Sequence, residues 1–223
     1  SGTLRVAGGV GTTVSVLGNV SVTGTLDLRG CNFTASGSTS IDGTMSFTTA
    51  AGGTKTFSGA VTINAGATWN NVINEDVTFR GGLTHNGTTF TSGTGIYTFD
   101  TNPQNIAGTS AITISSLTVT GVTVTNTNTN AAGLTVSTAL AGTGGLTNPA
   151  NGLLNISGTS TITTLTATAN PNTVDFNGGA QTVNATTYHH LTLSNTGAKT
   201  AGGAITVNGN LTMSGSASFD GGI

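Results

Sequence analysis

Charge is almost missing from this chain: 223 residues carry five Lys or Arg and seven Asp or Glu, where an average soluble protein is about a quarter charged. A net charge of −2 offers no clustered basic footprint, which excludes nucleic acid and anionic lipid as partners. The single Cys31 excludes an internal disulfide, and with no CxxC or Cys/His cluster a zinc site is excluded as well. No run of eighteen apolar residues exists, so no helical membrane insertion is expected. Only three Pro, one Trp, two Tyr and eight Phe occur, few aromatics for the core of a sandwich of this length.

What is abundant is Thr, with 49 residues, and Gly, with 35. Thr favours strands because its branched Cβ is stiff, and Gly supplies tight corners. Disorder is excluded by placement: 35% of residues are hydrophobic, and they recur as pairs separated by one polar residue, the alternation of a strand with one buried face. Such pairs include Val14/Val16, Val20/Val22, Leu26/Leu28, Val61/Ile63, Ile112/Ile114, Val174/Phe176, Leu191/Leu193 and Leu211/Met213. Turn dipeptides separate them, among them Gly52-Gly53, Gly81-Gly82, Gly178-Gly179 and Asn208-Gly209.

Spacing this short leaves no room for crossover helices. The expected fold is all-β: a parallel β-helix, or β-solenoid, of about 11 coils of about 20 residues, giving a rod on the order of 50 Å long at roughly 4.8 Å per coil. The alternative is antiparallel repeats in a β-sandwich, for which Asn208-Gly209 between Ile205-Thr-Val207 and Leu211-Thr-Met213 is a good hairpin signal. A longer period favours the solenoid. Thr98-Phe99-Asp100 with Gln104-Asn105-Ile106 matches Asp175-Phe176-Asn177 with Gln181-Thr182-Val183 at an offset of 77 residues, and a looser copy starts at Met45-Ser46-Phe47 with Lys55-Thr56-Phe57. Residues 1–223 therefore read as one repetitive segment with imperfect blocks near 45–97, 98–173 and 174–223. The chain opens at Ser1 without Met or a leader, and is expected to be a mature or excised piece whose open ends associate with another copy or with further repeats.

Enzyme chemistry is not expected. Polysaccharide-cutting solenoids need clustered carboxylates, whereas the seven acids are scattered. Asp27 and Asp175 each lie between two apolar residues and should face solvent. Glu75-Asp76 is the one acidic pair, near Arg80 and His85 in sequence; a cation or sugar contact is conceivable there, with a solvated loop as the plainer reading. His189-His190 beside Tyr188 lacks a third metal ligand. Calcium-binding GGxGxD repeats and a GxSxG elbow are absent. No cofactor is expected. Six Asn-x-Ser/Thr sequons, at Asn19, Asn32, Asn86, Asn155, Asn184 and Asn210, follow from the composition. The run Thr123, Thr125, Thr127 and Thr129 is the best candidate for a ligand-facing surface, taking a surface glycan or ice, although it does not recur at a constant interval.

The stretch Val174-Asp-Phe-Asn-Gly-Gly-Ala-Gln-Thr-Val, continuing through Tyr188-His-His-Leu-Thr-Leu and Gly197-Ala-Lys-Thr to Ile205-Thr-Val-Asn-Gly-Asn-Leu-Thr-Met, resembles the repeat tracts of giant surface proteins of Bacteroidota. The likeness is good over 174–220, partial over 98–140 and weak before that, and it breaks at 125–160, where Asn-Thr alternation replaces the Lys-Thr element. The resemblance implies export to the cell surface, often by a type IX route, and a role as an adhesin stalk or filament; it brings no catalytic residues.

Overall fold

The computed structural model describes residues 2–5, 11–48 and 52–221; parts of the two ends whose composition matches the middle, 6–10 and 222–223, lie outside the described residues. Among the described residues every regular element is a short strand, and every strand pair is parallel. The chain is a β-solenoid of about 10 turns, one fewer than the spacing suggested.

Most turns contain three strands. Thr13–Val16, Val20–Val22 and Thr25–Asp27 are followed by Asn32–Ala35, Thr39–Ile41 and Thr44–Ser46, each lying on its counterpart one turn earlier. We number these three faces 1, 2 and 3. The register advances 19 residues from Val16 to Ala35, 22 from Ala35 to Phe57 and 17 from Phe176 to Leu193. Strands stay matched while the corners absorb the difference, which is why no constant period is visible in the sequence.

The hairpin alternative is overturned. Leu211–Met213 pairs in parallel with Leu191–Leu193, and Thr206–Val207 pairs in parallel with Thr187–Tyr188, so Asn208-Gly209 turns a corner between two faces. Each strand finds its partner one turn earlier, and this buries the alternating side chains inside the coil.

The interior also differs along its length. On face 1 the inward column runs Ala35, Phe57, Phe79, Phe99, Val119, and Phe79 lies 5.8 Å from Phe57 and 5.2 Å from Phe99, ring to ring. Trp69 on face 3 closes on Phe47, Phe57 and Phe79 from across the coil. Aromatics are few, but most of them meet in this half; such contacts are worth about 0.5–1.5 kcal/mol per pair beyond area burial. The later half is filled by Leu, Ile and Val, as in Leu134, Val136, Leu154, Ile156 and Leu193.

The 77-residue match starts on one face and parts after it: Phe99 stacks on face 1 with Phe79, and Phe176 on face 1 with Ile156 and Leu193, whereas Gln104–Gly108 continues face 2 and Gln181–Val183 pairs with Thr196–Ala201 in a separate sheet. The shared element is a face 1 strand and the corner after it, and not a whole turn. In both copies the Gln side chain folds inward across that corner. Gln104 Oε1 accepts from Gly82 N at 2.8 Å and Nε2 donates to Phe79 O at 3.1 Å. Gln181 Oε1 accepts from Gly178 N at 2.8 Å and Nε2 donates to Ile156 O at 2.8 Å.

Candidate functional site

Glu75 and Asp76 part company. Asp76 points out and accepts the Ile96 amide of the next turn at 2.7 Å. Glu75 points in, is 3% exposed, and meets Lys55 Nζ at 3.3 Å through Oε2. The solvated-loop reading is corrected for Glu75: this corner turns the side chain into the coil, where Lys55 on the preceding turn waits. Neither Arg80 nor His85 joins them. Arg80 pairs with Asp100 at 2.8 Å, and His85 is buried from face 2 against Phe90.

Asp27 is also corrected. Leu26, Asp27 and Leu28 are all buried, because the strand ends at Asp27 and the corner breaks the alternation that would have turned it to solvent. Its Oδ2 meets Arg29 Nε at 3.5 Å. Asp175 is half-buried and accepts the Ser194 hydroxyl through both oxygens, at 2.9 and 3.0 Å. Burial pushes its pKa up, partly offset by that hydroxyl and by the Lys199 charge.

Thr123, Thr127 and Thr129 are exposed and Thr125 half-buried, while Val124, Asn126 and Asn128 between them are buried. The register gives this run company: Thr125 pairs with Thr147 and Thr147 with Thr166, while Thr123 pairs with Gly145 and Gly145 with Thr164. Thr123, Thr147, Thr164 and Thr166 border a shallow open groove of about 540 Å³ with Thr101 and Pro103. Unequal turn lengths do not prevent alignment, since the corners take up the slack. Outward Thr columns are not special to this face, however. Thr34, Thr56, Thr78, Thr98 and Thr118 stack on face 1, and Thr25, Thr44, Thr68 and Thr89 on face 3.

His189 and His190 lie 4.2 Å apart, ring to ring, and His190 Nδ1 accepts the Asn210 amide at 2.9 Å. Among the described residues no group of three His, Cys, Asp or Glu is placed to hold a metal ion.

The polar residues that matter most escaped the sequence reading. Lys55 and Lys199 are fully buried. Lys55 Nζ donates to Gly52 O at 2.8 Å and to Glu75, whose Oε1 accepts the Gly52 amide at 2.8 Å. Lys199 Nζ donates to Gly178 O at 2.7 Å, Gly179 O at 2.6 Å and Gln181 Oε1 at 2.8 Å. Burial lowers the Lys199 pKa, with Asp175 acting in the opposite sense. Both lysines stand in a Gly-x-Lys-Thr element, Gly53-Thr-Lys-Thr and Gly197-Ala-Lys-Thr; Lys55 opens a face 1 strand, while Lys199 lies within Thr196–Ala201, in a separate sheet. That repetition was the available signal.

Between them, where the Asn-Thr alternation lies, asparagines fill the corners. Asn126 Nδ2 donates to Asn148 Oδ1 and Leu153 O, both at 2.9 Å, and Asn172 Nδ2 donates to Asn148 O at 2.6 Å. Outer asparagines bridge turns as well. Asn19, Asn32 and Asn86 accept the amides of Ser38, Thr54 and Thr109 through Oδ1, so three of the sequon side chains are inter-turn clamps. No family model, curated protein or solved structure matches the chain.

Proposed function

We propose that this chain is a structural, non-enzymatic segment of an extracellular bacterial filament, sheath or adhesin stalk, acting as a stiff spacer. The observation that carries the reading is the use made of its polar residues: Gln104, Asn126, Asn148, Gln181, Lys55 and Lys199 are buried and hydrogen bond to neighbouring turns or corners. Polar side chains turned to that task reinforce the rod and are withdrawn from any ligand. About 10 turns at roughly 4.8 Å each give a rod about 50 Å long. The low charge fits a surface environment with little need for electrostatic steering, and two of the five basic residues are buried, which leaves trypsin few sites. Leu4 at one mouth of the coil and Leu211 and Met213 at the other are exposed apolar residues, suited to stacking on a further turn, of this chain's neighbour or of a second copy.

Limited proteolysis with small-angle scattering tests the proposal. An elongated particle that resists trypsin over hours is expected; rapid digestion of the folded chain into small peptides, or a spherical scattering profile, overturns it.

A second reading rests on the column Thr125/Thr147/Thr166, whose methyl and hydroxyl groups repeat at the strand spacing of about 4.8 Å, flanked by the column Thr123/Gly145/Thr164, which a glycine interrupts. Such an array suits ordered water or a polysaccharide. Its presence on other faces too favours strand propensity as the cause. Thermal hysteresis and a glycan array decide it, and nulls in both remove this reading.

A further inference from the structure

Lys55 and Glu75 form a fully buried pair on adjacent turns, and their surroundings are arranged for more than an ion pair. Glu75 Oε2 faces Lys55 Nζ at 3.3 Å, while Glu75 Oε1 accepts the Gly52 N–H at 2.8 Å. The Glu75 backbone is held at both ends by one side chain: Asn71 Oδ1 accepts Glu75 N and Asn71 Nδ2 donates to Glu75 O, each at 2.8 Å. Asn71 is itself tied to Tyr97 OH at 3.0 Å, which also accepts Trp69 Nε1 at 2.9 Å. Nucleophile, carbonyl carbon and an amide N–H on the carbonyl oxygen are therefore fixed together in a water-poor core.

We propose that Lys55 and Glu75 condense to an intramolecular isopeptide bond, a covalent staple between successive turns. The ammonium passes a proton to Oε2, and the freed amine adds to the Glu75 carbonyl carbon. Negative charge gathers on Oε1, where the Gly52 N–H stabilises it as a backbone oxyanion donor does. A second proton moves from Nζ to Oε2, the C–Oε2 bond breaks and water leaves. One ammonium and one carboxylate give one secondary amide and one water, with no co-reactant. Enforced proximity supplies what the reaction lacks in solution, since held reactants reach effective molarities on the order of 10⁵ M or more.

The related corner at Lys199 serves as an internal contrast. Its Nζ is held as a donor by three oxygens, and the Gln181 Nε2 that would have to depart is tied to Ile156 O at 2.8 Å and Gly158 O at 2.7 Å. That pair remains a clamp.

The test is mass spectrometry on the whole chain, purified folded, shown to be β-structured by circular dichroism, then fully denatured and digested with trypsin. The expected result is an intact mass lower by one water, no cleavage after Lys55, and a peptide 30–80 that yields no backbone fragments from within 55–75. Cleavage after Lys199 proceeds normally. Lys55→Arg, which cannot be acylated, restores the full sequence mass. Loop-linked 30–80 peptide above the Lys55→Arg background supports the bond. Complete cleavage after Lys55 with the full sequence mass, in a sample shown to be folded, overturns it, and leaves the stalk reading untouched because that reading needs only the hydrogen-bonded coil.

Discussion

Lys199 Nζ lies 2.8 Å from Gln181 Oε1, which also accepts the Gly178 amide at 2.8 Å. One buried oxygen thus joins an ammonium, a corner amide and, through Gln181 Nε2, the carbonyls of Ile156 and Gly158 on the turn before. Gln181→Leu keeps the volume and removes the hub, leaving Gly178 N and part of the Lys199 ammonium without partners. An unpaired buried donor costs about 1–3 kcal/mol, more when charged. We expect Gln181→Leu to lower the urea midpoint by the equivalent of about 3 kcal/mol, whereas Thr182→Val, on the exposed side of the same strand, changes it little.

Phe79 is the centre of the aromatic half, in ring contact with Phe57, Trp69, Tyr97 and Phe99. Phe79→Ala opens a cavity bordered by rigid rings that cannot collapse into it, so its cost belongs near the upper end of about 3–5 kcal/mol. Leu154→Ala in the aliphatic half is expected to cost about 2–4 kcal/mol, since smaller neighbours relax more readily. Because contacts run only between neighbouring turns, the two losses are expected to add in the double variant, as measured by chemical denaturation.

How far these features were legible depends on distance along the chain. The alternation at Val61-Thr-Ile63 or Leu191-Thr-Leu193 is local, and it announced both the strand and its buried face. Corners were not legible. Asp27 was assigned to solvent by extending the alternation of Leu26 and Leu28, yet the chain turns at that point and buries all three. Lys55 and Lys199 drew no reading as buried groups, because the Glu75 and Gln181 side chains that accept their hydrogen bonds lie about one turn away in sequence. The 77-residue match identified a real element, a face 1 strand with the corner after it, but misjudged its size, since the strands that follow the corner lie in different sheets. The Thr123–Thr129 run was readable as outward, but its alignment with Thr147 and Thr166 needed the register.

Stability should fall in mild acid through His85. This imidazole is 1% exposed, its Nδ1 has no hydrogen-bond partner, and burial lowers its pKa from the ordinary 6.5. The unfolded chain then binds more protons than the folded one once pH drops below about 6.5, so unfolding free energy decreases from there down to the folded-state value. His85→Leu removes the titrating group and is expected to flatten the melting temperature between pH 7 and 5. An unchanged slope in that variant refutes the assignment.

A second acid limb should appear lower. Burial alone would raise Asp100, but hydrogen bonds from Arg80 and Thr101 and the Arg80 charge hold its pKa below the usual 3.8. The stability this contributes is present above that value and is lost as pH falls towards the folded-state pKa. The pair is partly solvated, with Arg80 at 40% and Asp100 at 25% side-chain exposure, so screening keeps the effect below about 1 kcal/mol. Asp100→Asn should lower the melting temperature slightly at pH 7 and not at pH 2.

Close stacking of corners gives the sharpest single-residue test. A Cβ placed on Gly158 would sit 1.9 Å from Thr138 O and 2.2 Å from Thr138 C, on the backbone of the turn before. No rotamer change relieves a clash with backbone, so the turns must part locally, breaking the pairing of Ala139 and Leu140 with Thr159 and Ser160 and disturbing Gly158 O, which accepts from Gln181 Nε2. Gly179→Ala, whose Cβ meets nothing within 4 Å, is the matched control. We expect Gly158→Ala to destabilise by more than about 2 kcal/mol and to admit protease near residue 158 while the aromatic half stays protected. Gly179→Ala should leave both the melt and the cleavage pattern as they are, and equal behaviour of the two variants would show that turn-on-turn contact at this corner does not limit stability.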